Sequence, residues 1–102
     1  MKTLKFQYPV YPLWINLTVR RGTKHAGLSG KVILEDADCL CPRQFGQITD
    51  VKVKRFKDIT QEELNFEHDI ECRTYEGLLK TMKELYNNFG EEEIVTLIFF
   101  EA

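Results

Sequence analysis

Between Leu17 and Leu34 the chain reads LTVRRGTKHAGLSGKVIL, with Arg20, Arg21, Lys24 and Lys31 and no acid until Glu35. Such a stretch can offer backbone amides and the side chains of Arg20, Arg21 and Lys24 to a phosphate. Arg suits that task because its planar fork grips two oxygens. Gly22, Gly27 and Gly30 do not make a nucleotide-hydrolase phosphate loop. No Gly-Lys-Ser/Thr follows them, and no strand-to-helix junction. The same charges equally fit an ordinary solvated loop. Glu67, in LNFEHD, is the acid of interest. It either ends a helix exposed to solvent or faces a pocket with the basic loop opposite.

Cysteine and histidine give less. Cys39 and Cys41 form C-x-C, whose side chains point to opposite faces of an extended chain. Zinc sites use C-x2-4-C pairs, normally twice. Only Cys72 and His68 remain to complete a set, far off in sequence. All three cysteines are therefore read as small, partly buried hydrophobes, and no metal or cofactor is expected. His25 lies in the cationic loop. His68 ends the first helix, where the dipole at a helix C-terminus is a sufficient reason for it. The run GEEEI reads as a solvated turn.

Charge is unevenly divided. Up to Lys57 there are eleven cations against four acids, or +7; from Asp58 onward three cations face twelve acids, or -9. This asymmetry admits a polyanion partner. It also fits two parts that attract each other within the fold. With 43% hydrophobic residues in 102, one domain spanning 1–102 can bury a core, and disorder is excluded. No signal peptide and no apolar run near the roughly 20 residues of a membrane span is present. Three cysteines without secretory context suit a reduced, cytoplasmic protein. A monomer is the default.

Several elements must position these groups. KTLKF, NLTVRR (ended by Gly22), KVILED and VKVKRF read as strands; in the last, Val51 and Val53 share one face and Asp50, Lys52 and Lys54 the wet one. Pro9 and Pro12 make YPVYPLW an extended turn, with Trp14 packing inward. Thr60 and Glu63 spell a capping box, and Ile59 with Leu64 the staple around it. A second helix begins after Thr74. Tyr75, Leu78, Leu79, Met82, Leu85 and Tyr86 share its apolar face, and Gly90 is its stop. EIVTLIFFE is apolar on both faces, as a strand inside a sheet or barrel wall is. The fold class is α+β: a small mixed β-barrel of five to six strands, with two helices inserted before the last strand.

TVRRG, GLSGKVIL, ITDVKVKRFKDIT, LNFE, YEGLLKTMKELY and VTLIFFE together resemble the ASCH domain, a relative of the PUA-like RNA-binding barrels. The likeness runs from Thr18 to the C-terminus. It implies a cleft between the Thr-x-Arg strand and the acidic helix, which binds RNA or a nucleotide. Arg20 would be the main contact, Arg21, Lys24, Lys52 and Lys54 electrostatic support, and Trp14 or Tyr11 a ring that stacks on a base. The chain is similar, more distantly, to small bacterial amidohydrolases that cleave 4-acetylcytidine with a Lys, a Thr and a Glu. Thr18 and Glu67 match the last two as catalytic residues. The Lys, three residues before the Thr in a Gly-x-Lys motif, is Ile15 here, which argues against catalysis. A small protein-interaction module with a basic face is the remaining alternative.

Overall fold

The computed structural model describes residues 1–39 and 44–102. Five strands form one mixed sheet: β1 (Thr3–Phe6), β2 (Asn16–Arg21), β3 (Lys31–Asp36), β4 (Gln44–Arg55) and β5 (Ile94–Glu101). They lie in the order β1-β3-β4-β5-β2, parallel between β1 and β3 and antiparallel elsewhere. The helices α1 (Gln61–Leu64) and α2 (Tyr75–Leu85) lie between β4 and β5 in the chain.

β5 is hydrogen-bonded on both sides, to β4 and β2. Its apolar residues divide by parity, because successive side chains leave opposite faces. Val95, Leu97 and Phe99 join Leu17, Val19, Phe56, Ile59, Leu64, Leu78 and Met82 in one core. Ile98 and Phe100 join Leu4, Phe6, Leu28, Val32 and Leu34 in a second. Val51 and Ile48 pack on that second core although they are three positions apart, an odd spacing that would put them on opposite faces of a regular strand. The register shift between Ile48 and Asp50 supplies the extra residue. Val53, expected to share the face of Val51, is half exposed.

The sheet does not close into the expected barrel, but it curls strongly. β1 is three strand positions from β5, about 14 Å on a flat sheet. Yet the rings of Phe6 and Phe100 are 5.7 Å apart. β2 is four positions away, and the Arg20 guanidinium sits 4.7 Å from the Phe6 ring centre. The edges β1 and β2 thus meet through side chains instead of a hydrogen-bonded ladder, leaving a seam.

Both helix starts follow the sequence. Thr60 accepts from the Glu63 amide at 3.2 Å and the Glu63 carboxylate accepts from the Thr60 amide at 2.9 Å. Ile59 and Leu64 are both buried. α1 is only a single turn. Thr74 caps α2 by accepting from the Gly77 amide at 3.1 Å. Gly90 does not end α2. The helix stops at Leu85, Tyr86 is extended, and Asn88 takes the left-handed conformation at φ 57°, which Asn tolerates better than most residues. Leu78 and Met82 are buried, whereas Leu85 is half exposed.

Trp14 does not pack inward; it is 82% exposed. The turn before it is held instead by fully buried Asn16, which accepts from the Leu13 amide at 3.1 Å and donates to the Leu13 carbonyl at 2.9 Å. Ile15 packs on the helix-side core and Tyr11 on the other, so the inward places are taken.

Gly77 yields a stability prediction. A Cβ there would overlap the carbonyl oxygen of Glu71 and sit 2.9 Å from Thr74 Oγ1. Gly77→Ala is expected to lose about 1–3 kcal/mol, where Ala ordinarily adds roughly 1 kcal/mol to a helix. Urea unfolding measures this; a gain in stability would contradict the close approach of the Ile70–Cys72 turn to α2.

Candidate functional site

A pocket of about 280 Å³ occupies the seam. β1 and the residues after it contribute Lys5, Phe6 and Tyr8, β2 contributes Thr18 and Arg20, and Tyr86 closes the end of α2. Its floor is the segment after α1. That segment runs beside β2 as a one-residue parallel bridge between Leu17 and Glu67. The Leu17 amide donates to the Phe66 carbonyl at 2.6 Å and the His68 amide to the Leu17 carbonyl at 3.1 Å. These two bonds deliver Glu67 and His68, both lining residues, to the edge of the strand that carries Thr18 and Arg20.

Within the pocket Arg20 Nε donates to Thr18 Oγ1 at 3.1 Å. Glu67 is 3% exposed, and among the described residues its Oε2 has no hydrogen-bond partner. Burial pushes its carboxyl up to about 8, against the pull of the Asp69 amide, Arg20 and Arg73. Oε1 accepts from the Asp69 amide at 3.4 Å and lies 3.3 Å from His68 Nε2. His68 Nδ1 is 3.0 Å from the Val10 carbonyl oxygen. Burial lowers the His68 pKa, so the ring is neutral near pH 7. The ring of Phe6 meets it edge-on at 5.1 Å, and those of Tyr11 and Tyr8 lie 5.9 and 6.3 Å away.

Thr18, Arg20 and Glu67 therefore meet in one concavity. The other residues chosen from the sequence do not line it. Arg21 points elsewhere: its Nε donates to Glu93 at 2.6 Å and its Nη1 to the Asn87 carbonyl at 3.0 Å. Lys52 and Lys54 both reach Glu63, at 3.2 and 2.8 Å. Burial works against the Glu63 carboxylate, but Lys54, the Thr60 amide and Lys52 hold it down to about 2. Lys24 and Trp14 are both exposed and outside the pocket. Arg55 and Lys57 pair with Glu92 at 3.3 and 3.0 Å. Each of these ion pairs joins the basic first part to the acidic second, so much of the charge asymmetry is satisfied within the fold.

His68 was not legible as a site residue. Its position after a helix suggested a dipole contact, whereas it is 7% exposed and wedged between the two edge strands. The adjacent pair Glu67-His68 was the available signal. Of the cysteines, Cys72 is buried and borders the pocket, Cys39 is exposed instead of partly buried, and Cys41 lies outside the described residues. Among the described residues no three His, Cys, Asp or Glu side chains come together as a metal site, and no helix is long and apolar enough to cross a membrane. No protein-family model, curated protein or solved structure matches the chain. The chemistry of the site therefore rests on its own geometry.

Proposed function

We propose that the chain is a nucleotide-binding module of the ASCH, PUA-like kind, acting in the cytoplasm, and that its ligand occupies the seam. One observation carries this reading: Arg20, Thr18 and Glu67 converge in a pocket walled by Phe6, Tyr8 and Tyr86. Rings for a base, a cation for a phosphate and few convergent polar groups are what a nucleotide needs. The volume, about 280 Å³, lies just below the usual range of ligand sites, roughly 300–1,000 Å³. It favours a single nucleotide over an extended RNA. So does the engagement of Arg21, Lys52 and Lys54 with Glu93 and Glu63, which removes the cationic track that a polymer would follow. The same pairing weighs against a basic face for an acidic protein.

Titration calorimetry with the four ribonucleoside monophosphates tests the proposal. Arg20→Ala is expected to weaken binding at least tenfold, the loss of one charge-assisted contact of about 1.5–3 kcal/mol. Lys24→Ala and Lys52→Ala should leave it within about twofold. A short RNA whose affinity falls with salt at roughly -0.7 per contacted phosphate over several phosphates would extend the site to the polymer. Absence of binding to any nucleotide or RNA would end the proposal.

A second reading has its own observation. Thr18 Oγ1 receives the Arg20 Nε–H at 3.1 Å, which would stabilise a developing alkoxide, and Glu67 shares the pocket with a carboxyl near 8, suited to a base. An amidohydrolase of acylated pyrimidine nucleosides would use both. Ile15, in the position of the family's Lys, packs on the core. The expected result with 4-acetylcytidine is no release of cytidine. Turnover abolished by both Thr18→Ala and Glu67→Gln would make this chain the hydrolase.

A further inference from the structure

Arg20 and the Glu67–His68 pair together define what the pocket selects. Among the described residues Arg20 has no ion pair. Its Nε is spent on a neutral hydroxyl and its face on the Phe6 ring. A largely buried guanidinium without a carboxylate lacks the partner that buried charges normally have. The nearby carboxyl does not supply it, for a reason written in the hydrogen bonds. A carbonyl oxygen only accepts, so the contact of His68 Nδ1 with the Val10 carbonyl places the ring proton on Nδ1. In the neutral ring Nε2 is then an acceptor, and it faces the acceptor Glu67 Oε1 at 3.3 Å. Two acceptors at that distance need a proton between them. With the proton there, Oε2 is the carbonyl oxygen of a neutral acid, and its lack of a partner costs far less than an orphaned carboxylate would.

We propose that Glu67 and His68 share one proton, which leaves Arg20 uncompensated, so that the pocket selects the phosphate of a nucleotide over a neutral nucleoside. This rests on the nucleotide reading above and deepens it. Loss of the shared proton would place a carboxylate beside Arg20 and cancel the charge offered to the phosphate. The other groups facing the pair are Lys5 on β1, Tyr8 and Tyr11 after it, Arg20 on β2, Asp69, Cys72 and Arg73 after α1, and Tyr86 after α2. Tyr11 and Cys72 are pushed up to about 12 by burial and keep their protons through mild alkali. The Glu67 carboxyl, pushed up to about 8, is the group expected to change there.

Cytidine 5′-monophosphate, cytidine and inorganic sulfate are the probes, since neither the phosphate nor the sulfate changes its charge appreciably between about pH 7.5 and 9.5. The monophosphate should bind at least tenfold more tightly than cytidine at about pH 7.5. That preference should shrink about tenfold towards pH 9.5, as expected when one proton is linked to binding. Glu67→Gln, whose amide can donate to His68 Nε2 and keep a carbonyl at Oε2, should hold the preference flat across the range. Equal affinity for the two ligands at pH 7.5, or an unchanged preference at 9.5 in the native chain, would overturn the inference. If neither the cytidine compounds nor the other three ribonucleoside monophosphates bind, the single-nucleotide reading fails; sulfate binding that fades over the same range would still uphold anion selection, and its absence would end that too. NMR of the native protein reads the pair without ligand. His68 should be the neutral Nδ1–H tautomer, with the Glu67 carboxyl carbon titrating near 8. A Glu67 titration near 4–5, or an Nε2–H tautomer, would overturn the shared proton.

Discussion

Phe100→Ala is expected to destabilise the protein by about 3–5 kcal/mol, the cost of emptying a buried aromatic site. The ring is fully buried and stands where the curl of the sheet is decided. From β5 it meets Phe6 of β1 at 5.7 Å and Tyr11 at 5.6 Å. Phe6 in turn lies under Arg20 and edge-on to His68. Without Phe100 the edge strand β1 loses much of what draws it across the sheet, and the pocket loses a wall. Nucleotide binding should fall at least tenfold under conditions where the variant is still folded. Phe99→Ala is the comparison. Phe99 lies on the opposite, helix-side core, so its loss should cost stability and spare binding. Urea unfolding and calorimetry on both variants measure this. A cost below about 1.5 kcal/mol for Phe100→Ala, or equal loss of binding in the two, would contradict the view that one ring sets the curl.

Glu67→Gln should change the pH dependence of stability by about 3–5 kcal/mol. The folded chain holds the Glu67 proton up to about 8, whereas the ordinary value is 4.5. Between those values the native state binds the proton and the unfolded state does not, so stability falls as pH rises. The contribution is fully present below 4.5 and gone above about 8, at about 1.4 kcal/mol per pH unit. Gln carries no such proton. The variant should therefore gain on the native protein steadily from about pH 4.5 to 8, and the difference should level off above that. Glu63 works in the opposite sense and in another window: held down to about 2, it contributes above 4.5 and is lost as pH falls towards 2. Denaturant midpoints across the range test the prediction, and a constant difference would contradict it.

The elements were largely legible because their signals are local. The capping box of Thr60 and Glu63, the Thr74 start of α2 and the two apolar faces of β5 each depend on neighbours within a few residues, and the structure follows them. Trp14 misled because composition favours burying a large ring, while the place inside was settled by Asn16, Ile15 and Tyr11 through contacts that no local pattern encodes. Lys52 and Lys54 were correctly placed on the wet face of a strand. That their charges are spent on Glu63 depends on how α1 docks against β4. Thr18, Arg20 and Glu67 could be chosen from the sequence, but His68 could not be understood from it. Its role depends on the Val10 carbonyl, fifty-eight positions away, and on the failure of β1 and β2 to pair.

That unpaired seam makes β1 a detachable wall. Among the described residues its strand partner is β3 alone, over four residues, while β5 is held along both edges. The amides of β1 should therefore exchange with solvent well before those of β5, through an opening smaller than global unfolding. A nucleotide held in the seam against Phe6 and Arg20, which line it from β1 and β2, would bind the closed form and not the open one. It would slow exchange in β1 by its own saturation, by RT ln(1 + [L]/Kd), and leave the β5 amides nearly unchanged until the opening of the whole domain. The ligand would then complete the hydrophobic and electrostatic closure that the backbone omits, and the strand that admits it would be the one it locks.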